Sequence, residues 1–96
     1  MIVTAKLTAS EKDRDQVERI LKNLVAEVRA EEGTLVYTLH RSQNDPNVFL
    51  FYEKYQDMDA LVVHGGTDYF KAAMKDLAPL LAEKPVIEMF DEIDSI

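Results

Sequence analysis

Residues 34–55 read TLVYTLHRSQNDPNVFLFYEKY. Two β-rich runs flank a polar pentad. In the first run, Thr34 to Arg41, the residues Leu35, Tyr37 and Leu39 fall on one face and Val36, Thr38 and His40 on the other, which is the period of a strand. The pentad Gln43-Asn44-Asp45-Pro46-Asn47 is a turn: Asn and Asp side chains bond back to the local backbone, and Pro46 presets φ. The second run, Val48 to Tyr55, then returns antiparallel. It is apolar on both faces, so both faces are expected to be covered.

Upstream of this hairpin, Ile2 to Thr8 is rich in β-branched residues and reads as a strand. Ser10 is the expected N-cap of a helix, with Glu11 and Asp13 in its first turn. Val17, Ile20, Leu21, Leu24, Val25 and Val28 recur at steps of three and four and make one apolar stripe. Gly33 is expected to end that helix in a left-handed conformation. Downstream, Asp57 caps a short helix that runs to His64 and is broken by Gly65-Gly66. Thr67 caps another, with Phe70, Ala73, Met74 and Leu77 as its stripe. Leu80 and Leu81 extend that apolar face past Pro79. Pro85 opens a last strand from Val86 to Ile93, and the acidic end, Asp91 to Ile96, is expected at an edge or as a tail that crosses to a partner.

The order is β-α-β-β-α-β with the second helical element broken in two, the α+β ferredoxin-like pattern with a four-stranded antiparallel sheet. With 96 residues the chain is expected to form one domain, residues 1–96. Helices cover one sheet face. The other still carries apolar residues, and an apolar patch of that kind signals association, here with a second copy of the chain.

Composition narrows the partners. Eleven Lys and Arg against eighteen Asp and Glu give a net charge of −7. There is no basic cluster to displace counterions, so neither nucleic acid nor an anionic membrane surface is expected. No apolar run approaches the length of a membrane span, and the first residues do not read as a secretion signal. The absence of cysteine excludes disulfides, thiolate metal sites and a cysteine nucleophile. These features together lead to a cytoplasmic expectation.

The residues able to do chemistry concentrate between Phe49 and His64. An imidazole titrates near neutral pH and can act as a general base, although a histidine at a helix end can equally serve the last carbonyls. Glu53 lies between apolar neighbours, and a buried carboxylate needs a partner or a raised pKa. It could orient His64, or it could form an ion pair with Arg41 or Lys6. Tyr37, Tyr52, Tyr55 and Tyr69 can each bury a ring and present a hydroxyl. Phe51 and Phe70 read as core residues that could also line a cavity. Two histidines without a ligand spacing give no metal site. There is no phosphate loop and no nucleophile elbow.

An ordered set of short motifs runs through nearly the whole chain: Glu32-Gly33, Tyr37, Asp45-Pro46-Asn47, Phe49, Tyr52-Glu53-Lys54-Tyr55, Ala60-Leu61, His64, Thr67 and Phe70. This set resembles the antibiotic biosynthesis monooxygenase family. Tyr55 stands where the family usually has Trp, and the Pro before Gly33 is missing. The resemblance implies a dimeric α+β barrel and a monooxygenase that oxidises a quinol or polycyclic phenol with O2 and uses no cofactor. It implies His64 as base with Glu53 behind it, and Tyr37, Tyr52 and Tyr55, with Phe51, Tyr69 and Phe70, around an aromatic substrate. A haem-degrading branch resembles this fold but relies on an Asn and a Trp, and this chain has no Trp. The family also includes isomerases of small phosphorylated signalling compounds, for which Lys6, Arg41 and Lys54 would be the strand-borne anchors. A ligand-binding dimer without catalysis is the third alternative.

Overall fold

The computed structural model describes residues 1–96. Four strands, β1 (Ile2–Thr8), β2 (Thr34–Arg41), β3 (Val48–Tyr55) and β4 (Val86–Phe90), form one antiparallel sheet in the order β2-β3-β1-β4. Three helices, α1 (Arg14–Val28), α2 (Met58–Gly66) and α3 (Asp68–Leu77), complete the ferredoxin-like α+β fold. The expected element order is therefore observed, including the divided second helix.

Register determines what each face carries, because directly paired residues point the same way. Val3, Glu53 and Tyr37 form one cross-strand row, and Ala5, Phe51, Leu39 and Ile87 form the next. These rows face the helices. From α1, Val17, Leu21, Leu24 and Val28 answer them, all buried and all on the expected stripe. Phe49, Phe51, Leu21 and Leu77 are among the largest fully buried side chains. Full burial of such a side chain contributes about 1.5–3 kcal/mol, so this layer supplies most of the driving force.

The opposite sheet face is different. Leu50, Tyr52, Val86 and Phe90 are each more than a third exposed. In the single chain β3 is thus covered on one face only.

Other expectations also change. Ser10 makes no side-chain cap. It precedes a single 3-10 turn, Glu11–Asp13, and the α-helix proper begins only at Arg14. Gly33 is not left-handed, because no glycine has positive φ. The helix has already ended at Val28, and Gly33 lies at the start of β2, where its carbonyl accepts from the Gln56 N–H at 2.9 Å. Its lack of a side chain matters for packing: a Cβ there would lie 2.5 Å from the Cβ of Ala60. Gly65 and Gly66 do not break α2 but form its last turn, and the chain leaves the helix at Thr67. An irregularity in register between Thr34 and Val36 turns Leu35 out, leaving it 55% exposed rather than on the face of Tyr37 and Leu39. Finally, β4 stops at Phe90. Its last rung pairs Phe90 with Ile2, the first residue of β1.

Candidate active site

The site is built around His64. Asp57 caps α2 by accepting from the Ala60 N–H at 2.9 Å, which fixes the start of the helix. At the other end the Thr67 hydroxyl donates to the His64 carbonyl at 2.8 Å and accepts from the Phe70 N–H at 3.3 Å. One threonine thus closes α2 and opens α3, and the residue it locks in place is the histidine.

The imidazole is 3% exposed. Three rings surround it, with centroids at 4.7 Å for Phe70, 5.2 Å for Tyr37 and 5.5 Å for Tyr55. Its Nδ1 lies 3.0 and 3.2 Å from the two carboxylate oxygens of Glu31. An ionised carboxylate only accepts, so the neutral ring carries its proton on Nδ1 and leaves Nε2 as a bare acceptor. Nε2 has no protein partner, whereas every side-chain polar atom sealed from solvent does have one. Nε2 is therefore accessible, and His64 lines the adjoining cavity. Burial lowers the pKa of the ring below its ordinary value, and the Glu31 charge and hydrogen bond oppose that shift.

Glu31 lies in the turn between α1 and β2 and is itself 7% exposed at the side chain. It collects three donors: His64 Nδ1–H, the Thr34 hydroxyl at 2.7 Å and the Tyr69 hydroxyl. A carboxylate held on three sides cannot swing, so it fixes both the tautomer and the orientation of the imidazole.

The cavity beside Nε2 measures about 160 Å³. Val3, Ala5, Phe51 and Tyr37 line it from the sheet, and Leu61, Phe70 and Met74 from the helices. Gly65, Pro85 and Ile87, all exposed, mark its mouth. Tyr37 stacks on Phe51 with centroids 4.5 Å apart. The one acid that lines the cavity is Glu53, 5% exposed, whose carboxylate accepts from the Tyr55 hydroxyl at 2.5 Å. Burial raises its pKa, the Tyr55 bond opposes the shift, and the nearby negative charge of Glu31 adds to it. Burial likewise holds the Tyr37 hydroxyl well above the usual phenolic range, so it remains a donor.

The structure brings His64, Glu53, Tyr37, Phe51 and Phe70 together around one cavity. The remaining residues are placed differently from expectation. Glu53 is not behind His64; that place belongs to Glu31, and Glu53 is held by Tyr55 instead. Glu53 also has no cation, since Arg41 pairs with Glu18 and Lys6 projects from the outer face. Tyr52 lies on that outer face, 37% exposed, because it alternates with Phe51 and Glu53 along β3. Tyr55 is 1% exposed and supports Glu53 without lining the cavity, and Tyr69 binds Glu31 from a groove between α1 and α3. Glu31 was missed because it sits outside any periodic element. The adjacent pair Glu31-Glu32 reads as solvated charge until Thr34, His64 and Tyr69 are brought around it.

The arrangement is a helix-and-sheet cleft with an oriented imidazole in its wall. The sequence profile of the antibiotic biosynthesis monooxygenase family matches residues 1–76. The chain belongs to that family. A Caulobacter crescentus protein described as a candidate antibiotic biosynthesis monooxygenase has a crystal structure 41% identical to this chain. The match covers 97% of this chain and 89% of that one, with a TM-score of 0.92. The Pseudomonas aeruginosa protein PA3566 is 31% identical over 97% of this chain and 93% of its own, with a TM-score of 0.90. An uncharacterized Synechocystis protein, sll1783, is 22% identical over 94% of this chain, and the chain spans 61% of the length of that curated relative.

Proposed function

We propose that this protein is a monooxygenase that oxidises an aromatic quinol with O2 and needs no bound cofactor, with His64 as the base. Family membership supports the reaction class. The observation that carries the reading is the bare Nε2 of a buried imidazole, anchored through Nδ1 on Glu31 and open to an apolar cavity.

The chemistry follows from the substrate's own electrons. Nε2 takes the proton of a phenolic hydroxyl, and Glu31 stabilises the imidazolium that forms. The electron-rich anion passes one electron to O2, and the resulting radical pair combines at a ring carbon to give a hydroperoxide. The hydrogen on that carbon then leaves as a proton, the O–O bond breaks, one oxygen stays as a carbonyl and the other departs as water. One quinol and one O2 thus give one hydroxyquinone and one water. The apolar walls keep bulk water from the anion and the radical pair. Tyr37 and Glu53 offer polar contacts for the rest of the ring. Two copies pairing through the outer sheet face would cover Leu50, Tyr52, Val86 and Phe90, and we include a homodimer in this reading.

The isomerase alternative finds less support, because none of Lys6, Arg41 and Lys54 lines the cavity. An oxygen electrode with a panel of reduced quinols tests the proposal. Uptake above autoxidation is expected, with one atom of labelled O2 in the product, and His64→Ala should slow it about a hundredfold. Tight binding of quinols with no O2 uptake would instead identify a binding protein.

A further inference from the structure

We infer that the cavity selects an uncharged one-ring diol of the hydroquinone type and rejects both fused-ring and phosphorylated compounds, with Met74 setting the size limit. This rests on the quinol reading above and narrows it.

Three observations converge. The first is volume. The cavity holds about 160 Å³, and an apolar protein cavity of about 150 Å³ accepts benzene. One ring with its substituents fills such a space, and a second fused ring has nowhere to go but the mouth. The wall behind the ring is rigid on the sheet side, where Val3, Ala5 and Phe51 are all buried. On the helix side Leu61, Phe70 and Met74 line it, and of these Met74 is an unbranched, half-buried side chain that can be shortened without removing a ring from around His64.

The second observation is charge. Neither Lys nor Arg lines the cavity, and Glu53 supplies a carboxyl group. A phosphate would have to shed its water without gaining a cation, close to a buried acid, which is strongly unfavourable. An uncharged ligand meets no such cost.

The third is the placement of polar groups. His64 enters from α2, and Glu53 with its cross-strand neighbour Tyr37 enters from the sheet. The apolar lining therefore carries polar groups from two layers, with the Tyr37 ring centroid 5.2 Å from that of His64. A monophenol satisfies one. A diol satisfies both, and only the hydroxyl at Nε2 meets an oriented base.

Calorimetric titration without O2 separates binding from turnover. The probes are hydroquinone, phenol, 1,4-dihydroxynaphthalene and phenyl phosphate. Hydroquinone should bind at least roughly tenfold more tightly than the two-ring diol or the phosphate, and several-fold more tightly than phenol. Met74→Ala should raise affinity for the two-ring diol toward that for hydroquinone. Should that variant fail to fold, the ratios measured on the native protein decide alone. Equal or tighter binding of the two-ring diol or of phenyl phosphate by the native protein would overturn the inference. Admitting air afterwards tests the other reading: selective hydroquinone binding without O2 uptake would leave the inference standing and remove the monooxygenase. Oxidation of larger quinols but not of hydroquinone would do the reverse.

Discussion

A histidine at the C-terminal end of a helix usually meets water and the helix carbonyls; here it is sealed by three rings and a carboxylate. Its lowered pKa means that the base persists to more acidic pH than a free imidazole does. The rate should therefore fall only as pH drops below the ordinary value of 6.5. Glu31→Gln keeps an acceptor for Nδ1–H but removes the charge. We expect the acid limb of kcat/KM to move further down in pH and the plateau to drop roughly a hundredfold, both read from the pH profile of O2 uptake. Glu53 carries the opposite linkage. Its pKa is raised in the folded chain, so stability is present below 4.5 and lost as pH rises through the folded-state value. Glu53→Gln avoids that loss, and its advantage in urea denaturation should grow as pH rises above 4.5. His64 and Glu53 were legible in the sequence because both interrupt apolar patterns. Glu31 was not, since its role arises only when residues 33 and 38 positions further along the chain close around it.

At the scale of elements, the period of the hairpin and the stripe of α1 were readable because burial imposes them directly. What the sequence concealed depends on neighbours. The two kinds of glycine illustrate this. Gly33 is required by the approach of Ala60, a residue of α2, and Gly33→Ala should cost about 1–3 kcal/mol through overpacking. Nothing lies within 4 Å of a Cβ at Gly66. Gly66→Ala should then stabilise the helix by roughly 0.5–1 kcal/mol. Thermal unfolding checks both, at about 4–8 °C per kcal/mol for a domain of this size. Thr67 joins α2 to α3 with two hydrogen bonds. Thr67→Ala should cost about 1 kcal/mol and also loosen His64, so a fall in kcat beyond that seen for a remote cap would show the coupling. The length of β4 could not be read from its own residues, because Ile2 on another strand ends the ladder.

Across the whole molecule, two faces of one sheet do different work: one face and the helices build the cavity, and the other leaves Leu50, Tyr52, Val86 and Phe90 open. Alternation along β3 therefore separates the proposed chemistry from the proposed pairing, and a charge placed on the outer face should not disturb the site. Tyr52→Glu is expected to convert a dimer to a monomer in sedimentation at micromolar concentration while leaving the Glu31–His64 contact intact. The central claim, however, concerns two atoms. Nitrogen-15 NMR of the His64 ring, with phenol titrated in, reads them directly. A proton on Nδ1, a bare Nε2 and an Nε2 resonance that moves as phenol binds are expected. A proton resident on Nε2, or a ring indifferent to phenol at saturation, would contradict that claim.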